Sequence, residues 1–246
     1  MAWVEGTYIW FDGNFVKWED AKIHVLSHVV HYGSGVFEGI RAYKTSRGTA
    51  IFRLGDHVRR LYDSARIYRM NIPFSQDELA QAIADTVARN SFDACYIRPL
   101  VFRGYRELGI NPLACPVHVI VAVWGWGSYL AADPRNGGID AVVSSWHRMA
   151  PNTLPAMAKA CGNYINSQLM KLEAVTDGYD EAIAVGTDGF LSEGSAENLF
   201  LVRNGVLYTP RLSSSILEGI TRNTVLTIAR DLGIPAVEEQ LPRELL

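Results

Sequence analysis

Residues 145–164 read Ser-Trp-His-Arg-Met-Ala-Pro-Asn-Thr-Leu-Pro-Ala-Met-Ala-Lys-Ala-Cys-Gly-Asn-Tyr, and the one lysine among them is Lys159. Pro151 and Pro155 prevent a regular helix before this lysine, and an apolar helical pattern starts after it at Tyr164. The residues nearest to it are small: Ala156, Ala158, Ala160 and Gly162. We therefore expect Lys159 to lie where a loop turns into a buried helix, with room for a flat cofactor. Desolvation lowers the pKa of a lysine and frees its amine to attack carbonyls, although a lone lysine is usually solvated.

The composition is that of a globular chain, with 246 residues of which 48% are hydrophobic, enough for one large or two smaller cores. The net charge of -3 and the lack of a basic block argue against a nucleic-acid partner. Three widely spaced cysteines without a CxxC pair fit free thiols in a reducing compartment and predict no metal site. The charged N-terminal stretch is no signal peptide, and the apolar run 117–124 is too short to cross a bilayer. We expect a cytoplasmic protein without a membrane partner.

Turn and capping signals divide the chain into short strands and helices. Asp12-Gly13 predicts a hairpin turn between strands. Asp56 predicts a helix N-cap, and Ser75 with Glu78 forms the pattern of a capping box. Strands and helices occur in both halves without strict alternation, so the expected class is α+β.

The stretch 125–138 is rich in glycine, alanine, aspartate and proline, as interdomain linkers often are. We therefore predict an N-terminal domain over residues 1–124, an interdomain loop over 125–138 and a C-terminal domain over 139–246.

A lysine joined to an aromatic aldehyde phosphate needs an anionic partner for the pyridine nitrogen and a cradle for the phosphate. Glu193, beside small residues, could be that anion, although a glutamate beside glycine is usually a turn residue. The helix start Gly219-Ile220-Thr221 could hold a phosphate through backbone N–H groups, but such starts are mostly plain N-caps. Arg60 could add a charge-assisted phosphate contact or simply lie on a solvated helix face.

Tyr96 and Arg98 share one face of a predicted strand. An arginine inside an apolar strand needs either a protein carboxylate or the acid group of a substrate. The aromatic run 124–129 could line an apolar pocket, and ordinary core packing is the alternative.

Together these motifs resemble the class IV pyridoxal-phosphate aminotransferases, and among them the bacterial branched-chain amino acid aminotransferases. The resemblance runs the length of the chain, through His-Tyr-Gly-Ser-Gly-Val-Phe-Glu-Gly-Ile-Arg (31–41), Tyr-Ile-Arg-Pro (96–99) and the lysine stretch. Its most specific part runs from Glu193 to Arg222 and ends in Leu-Glu-Gly-Ile-Thr-Arg. The resemblance implies a two-domain fold-type IV enzyme, like D-amino acid aminotransferase, whose C-terminal domain binds pyridoxal 5′-phosphate.

Matching positions carry the family's roles onto this sequence. By resemblance, Lys159 binds the cofactor covalently and then moves a proton between substrate Cα and cofactor C4′, and Glu193 pairs with the pyridine nitrogen. Tyr164 bonds the ring hydroxyl. The resemblance assigns the phosphate to Arg60, Gly219, Ile220 and Thr221. It assigns the substrate to Phe37, Tyr96, Arg98, Trp126 and Tyr129, and to Tyr32 and Ile110 of a neighbouring subunit, which implies a homodimer or a higher homo-oligomer.

The implied reaction moves an amino group from leucine, isoleucine or valine to 2-oxoglutarate, giving glutamate. Within the same fold, D-amino acid aminotransferase, aminodeoxychorismate lyase and (R)-selective amine aminotransferase stay open. In the family, a Gly-Thr-Ala segment beyond the point where this chain stops contributes phosphate and substrate-carboxylate contacts. We therefore expect a C-terminally truncated chain with an incomplete second domain, and an inactive fragment is a further alternative.

Overall fold

The structure is a computed structural model that describes residues 4–125 and 137–246. The predicted pocket residues Trp126 and Tyr129, and most of the predicted interdomain loop 125–138, lie outside this part of the chain. Two compact units account for the described residues. The first contains residues 4–125 together with Ala158–Gly162, and the second contains residues 137–157 and Asn163–Leu246. The Lys159 segment thus packs with the first unit, whereas the sequence-based division placed it in the C-terminal domain.

The first unit is built on an eight-stranded antiparallel sheet with the order β3-β2-β8-β7-β5-β6, in which β1 also pairs with β8 and β4 with β7. Its strands are β1 Val4–Glu5, β2 Tyr8–Phe11, β3 Asn14–Lys17, β4 Gly35–Phe37, β5 Ile40–Thr45, β6 Gly48–Ile51, β7 Cys95–Arg103 and β8 Val117–Gly125. Its helices are α1 His28–Tyr32, α2 Leu54–Ile67 and α3 Gln76–Arg89. The predicted turn at Asp12-Gly13 is confirmed, since Phe11 pairs with Asn14 across it.

One hydrophobic core lies between this sheet and helices α2 and α3. Leu61 of α2, Leu79 and Ile83 of α3, and Ile97 of β7 are completely buried in it. These positions follow the helical and strand periods that the sequence shows, because one face of each element is apolar.

The capping box at the start of α3 is confirmed. The Glu78 N–H donates to Ser75 Oγ at 3.2 Å, and the Ser75 N–H donates to Glu78 Oε2 at 2.7 Å. The prediction that Asp56 is the N-cap of α2 is wrong. Arg53 occupies the N-cap position in a left-handed conformation, and Asp56 lies in the first helical turn, where it accepts a hydrogen bond from Arg53 Nε at 2.6 Å.

The second unit holds two small mixed sheets, with the orders β11-β10-β9 and β12-β13-β14. Its strands are β9 Ala141–Val143, β10 Glu181–Val185, β11 Leu191–Gly194, β12 Leu201–Arg203, β13 Val206–Pro210 and β14 Ala236–Glu239. Its helices are α4 Tyr164–Thr176 and α5 Ile220–Asp231. The mixed helix and sheet content of the two units confirms the α+β class.

Helix α4 packs on β10 through Met170 and Ala174, which lie against Ala182 and Ala184. The expectation of a buried helix holds for this face alone. The other apolar residues of α4 are exposed: Ile165, Leu169, Leu172 and Val175. None of the helices in residues 4–125 and 137–246 combines the length and the apolarity that a membrane span requires.

Candidate active site

The Lys159 segment lies beside β4 as a short added strand. Val36 and Ala160 form an antiparallel bridge, and the Phe37 N–H donates to the Lys159 carbonyl at 3.0 Å. On its other side, the Lys159 N–H donates to Ser64 Oγ of α2 at 3.0 Å. Two hydrogen-bonded elements, β4 and α2, therefore fix the backbone that carries the lysine.

Small residues allow the Lys159 segment to lie this close to the first unit's backbone. Gly33 ends α1 in a left-handed conformation (φ 63°), and a Cβ built there would lie 2.9 Å from the Cα of Gly162. Ala158 and Ala160 are buried on either side of Lys159. The small neighbours thus bring two distant stretches of backbone into contact.

The Lys159 side chain is half-buried and lies close to an aromatic ring. Its Nζ lies 5.2 Å from the centre of the Phe37 ring, and the Arg98 guanidinium lies 4.6 Å from the same centre. The structure therefore brings together three residues that the sequence analysis had assigned to one pocket. Their setting is less apolar than expected, because the Glu38 carboxylate is close enough to Lys159 for their charges to interact.

Strand β7 presents Tyr96 and Arg98 on one face, as the alternation of side chains along a strand predicts. Arg98 Nη2 donates to the Tyr96 hydroxyl at 3.2 Å, and the guanidinium also lies 5.7 Å from the Trp124 ring centre. Within the described residues, the buried Arg98 Nε has no hydrogen-bond partner. Arg98 is thus an aromatic-packed cation with unused hydrogen-bonding capacity.

Glu38, in the turn between β4 and β5, is a site residue that the sequence analysis missed. Its side chain is fully buried and binds two side chains of α2, Arg60 and His57. Arg60 Nε donates to Oε1 at 2.7 Å and Arg60 Nη2 to Oε2 at 2.8 Å, while His57 Nδ1 donates to Oε2 at 2.7 Å. A glutamate in an apolar stretch of sequence needs a partner for the same reason as Arg98 does, so the sequence carried a signal here.

Tyr32 and Ile110, the two residues predicted to reach a neighbouring subunit, belong to one surface of the first unit. The Tyr32 hydroxyl donates to the Leu108 carbonyl at 2.7 Å. The ring of the buried His28 lies 4.5 Å from that of Tyr32, tilted by 32°, and its Nε2 lies 3.1 Å from the Gly109 carbonyl. Ile110 itself is 84% exposed.

In the second unit, Glu193 lies within β11, and its carboxylate has a partner on each oxygen. Arg148 Nη2 lies 2.7 Å from Oε1 in a buried ion pair. Asn198 Nδ2 and the Leu217 N–H donate to Oε2 at 2.9 and 3.1 Å. Arg148 was not predicted as a site residue, because it stands in a proline-rich stretch that is typical of a loop, yet it is buried.

The predicted phosphate cradle lies at the start of α5. Gly219 occupies the N-cap position and has no side chain with which to cap the helix. Asn198, whose amide also donates to the Leu217 carbonyl at 2.9 Å, would collide with any Cβ at Gly219. Tyr164 begins α4 and is half-buried, and the Thr221 side chain is exposed.

Comparison with known proteins identifies the family. The model of the amino-transferase class IV family matches residues 35–246. This chain belongs to the class IV aminotransferases. It is 50% identical over 247 residues to the branched-chain-amino-acid aminotransferase of Escherichia coli (strain K12), a match that covers 100% of this chain and 80% of that relative.

Solved structures of class IV aminotransferases agree. The crystal structure of the Escherichia coli branched-chain amino acid aminotransferase superposes with a TM-score of 0.96 at 50% identity, covering 98% of this chain and 79% of that one. The T.th. branched-chain amino acid aminotransferase complexed with N-(5′-phosphopyridoxyl)-L-glutamate has a TM-score of 0.93 at 48% identity, covering 99% and 79%. The same T.th. enzyme has also been solved with 4-methylvaleric acid.

Proposed function

We propose that this aminotransferase transfers the amino group of leucine, isoleucine or valine to 2-oxoglutarate, with pyridoxal 5′-phosphate as its cofactor. The main observation behind the proposal is the position of Arg98. Its guanidinium and Lys159 Nζ both lie close to the Phe37 ring. It is supported by relatives named as branched-chain aminotransferases and by their complexes with a phosphopyridoxyl glutamate and a branched acid.

Such a pocket suits two substrates of different polarity. Phe37 and Trp124 offer apolar ring surface for a branched side chain. Arg98, with the Tyr96 hydroxyl beside it, offers a charge-assisted contact for the second carboxylate of glutamate or 2-oxoglutarate. The guanidinium lies 4.6 Å from the Phe37 ring centre and 5.7 Å from the Trp124 ring centre, so cation–π contacts stabilise its charge when a branched side chain occupies the pocket.

The residues present fit pyridoxal phosphate. The N-cap residue of α5 is Gly219, which has no side chain, and helix N-termini bind phosphate. We assign the phosphate to Gly219, Ile220 and Thr221 there and to Arg60. Glu193 offers an anionic carboxylate for a pyridinium nitrogen, held by Arg148 and Asn198. The ring hydroxyl is assigned to Tyr164, as the family pattern implies.

The cofactor supplies an electron sink that stabilises the negative charge left when the substrate Cα–H bond breaks. Lys159 Nζ would take the proton from the substrate Cα and deliver it to C4′ of the cofactor. Glu193 keeps a proton on the ring nitrogen, with its carboxylate oriented by Arg148 and Asn198. Arg98 and Tyr96 orient the acidic substrate, and Tyr32 and Ile110 of a second subunit are proposed to close the pocket in a homodimer.

An absorbance spectrum of the purified chain with pyridoxal phosphate tests this function. We expect a visible band of the lysine-bound cofactor that disappears on addition of leucine, and no band in the Lys159→Ala variant. D-alanine as amino donor separates the alternatives, because a D-amino acid aminotransferase would respond to it and not to leucine. A wild-type chain that forms no band, or a band that leucine leaves unchanged, would refute the proposal.

Replacing Arg98 with alanine tests the dual pocket. We expect the half-reaction with glutamate to lose roughly 10- to 100-fold in kcat/KM, since a charge-assisted contact is removed, and the half-reaction with leucine to change much less. Arg89→Ala is the matched control, because Arg89 also packs on two rings, those of Tyr8 and Phe15. Equal losses in both half-reactions of Arg98→Ala would contradict the role.

A further inference from the structure

Glu38 is an ionised carboxylate that is completely enclosed by protein. Its two oxygens accept four hydrogen bonds, from Arg60 Nε and Nη2, from His57 Nδ1 and from the Gly39 N–H. The side chains of its ionic partners are themselves 9% and 14% exposed, for His57 and Arg60 respectively. The ion pairs of Glu38 with His57 and Arg60 are therefore shielded from solvent and have a single geometry.

The backbone that carries this carboxylate is also fixed. The Glu38 N–H donates to the Pro99 carbonyl at 2.9 Å, and the preceding Phe37 N–H donates to the Lys159 carbonyl. The backbone at Glu38 is thus anchored between strand β7 and the Lys159 segment.

The contact with Arg60 is bidentate and uses one edge of the guanidinium. Of the five N–H bonds of an arginine, the Nε bond and one Nη2 bond go to Glu38, so the plane of the group is fixed and the other edge faces away from the carboxylate. Such a buried ion pair is a poor source of stability, because removing two charges from water offsets most of their attraction. The bidentate contact with Glu38 instead fixes the orientation of the Arg60 guanidinium.

We propose that Glu38 is a positioning residue that holds Arg60 in the orientation in which it binds the cofactor's phosphate. The inference rests on the proposed function, which assigns that phosphate contact to Arg60. Glu38 itself touches neither substrate nor cofactor in this role. It acts through Arg60, and the effect of removing it should depend on both Arg60 and the phosphate.

The test compares pyridoxal phosphate with pyridoxal, which lacks the phosphate but keeps the aldehyde that reacts with Lys159. Dissociation constants are measured by absorbance titration for wild type, Glu38→Gln, Arg60→Ala and the double variant. We expect Glu38→Gln to weaken pyridoxal phosphate binding roughly 10- to 100-fold and to leave pyridoxal binding within about twofold of wild type. In the Arg60→Ala background, Glu38→Gln should cause no further loss.

The matched control is Glu181→Gln. Glu181 is likewise a buried carboxylate in an ion pair, with Lys171 Nζ at 2.8 Å, and has no proposed contact with the cofactor. We expect its affinity for both compounds to stay at the wild-type level. If Glu38→Gln does not fold, Glu38→Asp serves, because a side chain one carbon shorter keeps the charge and loses the bidentate fit. An intermediate loss confined to pyridoxal phosphate then supports the proposal.

Equal losses for pyridoxal phosphate and pyridoxal would overturn the role of Glu38, as would additive losses in the double variant. Unchanged pyridoxal phosphate binding in Arg60→Ala would also overturn it, while leaving the proposed function in place. A wild-type chain that binds neither compound would refute the proposed function itself, so the two failures are distinguishable.

Discussion

At the scale of single residues, Glu38 links the candidate site to the stability of the first unit. Burial raises the pKa of its carboxyl, but hydrogen bonds from His57 and Arg60 and the charges of Arg60 and Lys159 outweigh burial and lower the pKa to about 2. The unfolded chain has the ordinary value of 4.5. Between these values the unfolded state binds more protons, so the stabilisation is complete above pH 4.5 and is lost as the pH falls through 2.

This linkage predicts the acid sensitivity of the chain. Between pH 7 and pH 3 the wild type should lose roughly 2 kcal/mol of unfolding free energy more than Glu38→Gln does, because glutamine does not titrate. Urea titrations at the two pH values measure the difference. An identical acid dependence of wild type and variant would contradict the prediction, because it would show that folding leaves the pKa of Glu38 unchanged.

At the scale of elements, three consecutive residues at the end of β4 and in the following turn each contact a different part of the candidate site. Phe37 supports Lys159 and Arg98, Glu38 binds Arg60, and Gly39 leaves space for the Tyr96 hydroxyl, which a Cβ would overlap. This turn therefore connects the lysine segment, α2 and β7 through a few residues of backbone.

Gly39→Ala is predicted to displace Tyr96. Because Tyr96 accepts a hydrogen bond from Arg98, KM for 2-oxoglutarate should rise at least about tenfold while the fold is retained. Steady-state kinetics with leucine and 2-oxoglutarate measure the change. Gly55→Ala is the control, because Gly55 lies in α2 with open space around it, and helical alanine is favoured there. A KM equal to that of wild type would argue against the overlap.

The capping box of α3 is an element-scale feature with a measurable energy. Ser75→Ala should destabilise the first unit by about 1 kcal/mol, because the first helical turn loses an acceptor for the Glu78 N–H. Faster amide hydrogen exchange in that turn would report the change locally. Ser46→Ala, in the exposed turn between β5 and β6, should have no such effect. Exchange as slow as in wild type would contradict the capping role.

At the scale of the whole molecule, the first unit exposes a set of apolar residues close in sequence to Tyr32 and Ile110. Val25, Val30, Leu108 and Leu113 are among them. Exposed apolar side chains grouped in this way mark surfaces that associate. They support the proposal that this surface meets a second copy of the chain.

Ile110→Glu should therefore dissociate the proposed dimer, because a charge in an apolar interface loses its water without gaining a partner. Sedimentation velocity at micromolar concentration measures the mass. Val202→Glu is the control, since Val202 is a similarly exposed apolar residue of β12 outside the predicted contact. An unchanged mass for Ile110→Glu, or a wild type that is already monomeric, would contradict the proposed role.

The sequence by itself determined the local elements and the family. The hairpin at Asp12-Gly13 and the capping box at Ser75 and Glu78 follow from turn and cap chemistry within a few residues. The motif around Lys159 was recognisable because its chemistry requires particular residues at fixed spacing. The short helix α1 and the exposed face of α4 were not foreseen, because their boundaries depend on what packs against them.

Only the tertiary structure decided which distant residues meet. The bridge between Val36 and Ala160 places the Lys159 segment in the first unit, and the ion pairs Glu38–Arg60 and Arg148–Glu193 orient charged residues that the sequence left without partners. No local pattern predicts such pairs, because their geometry comes from loop closure and from the close packing of separate elements. The sequence named the reacting groups, and the fold supplied the partners that orient them.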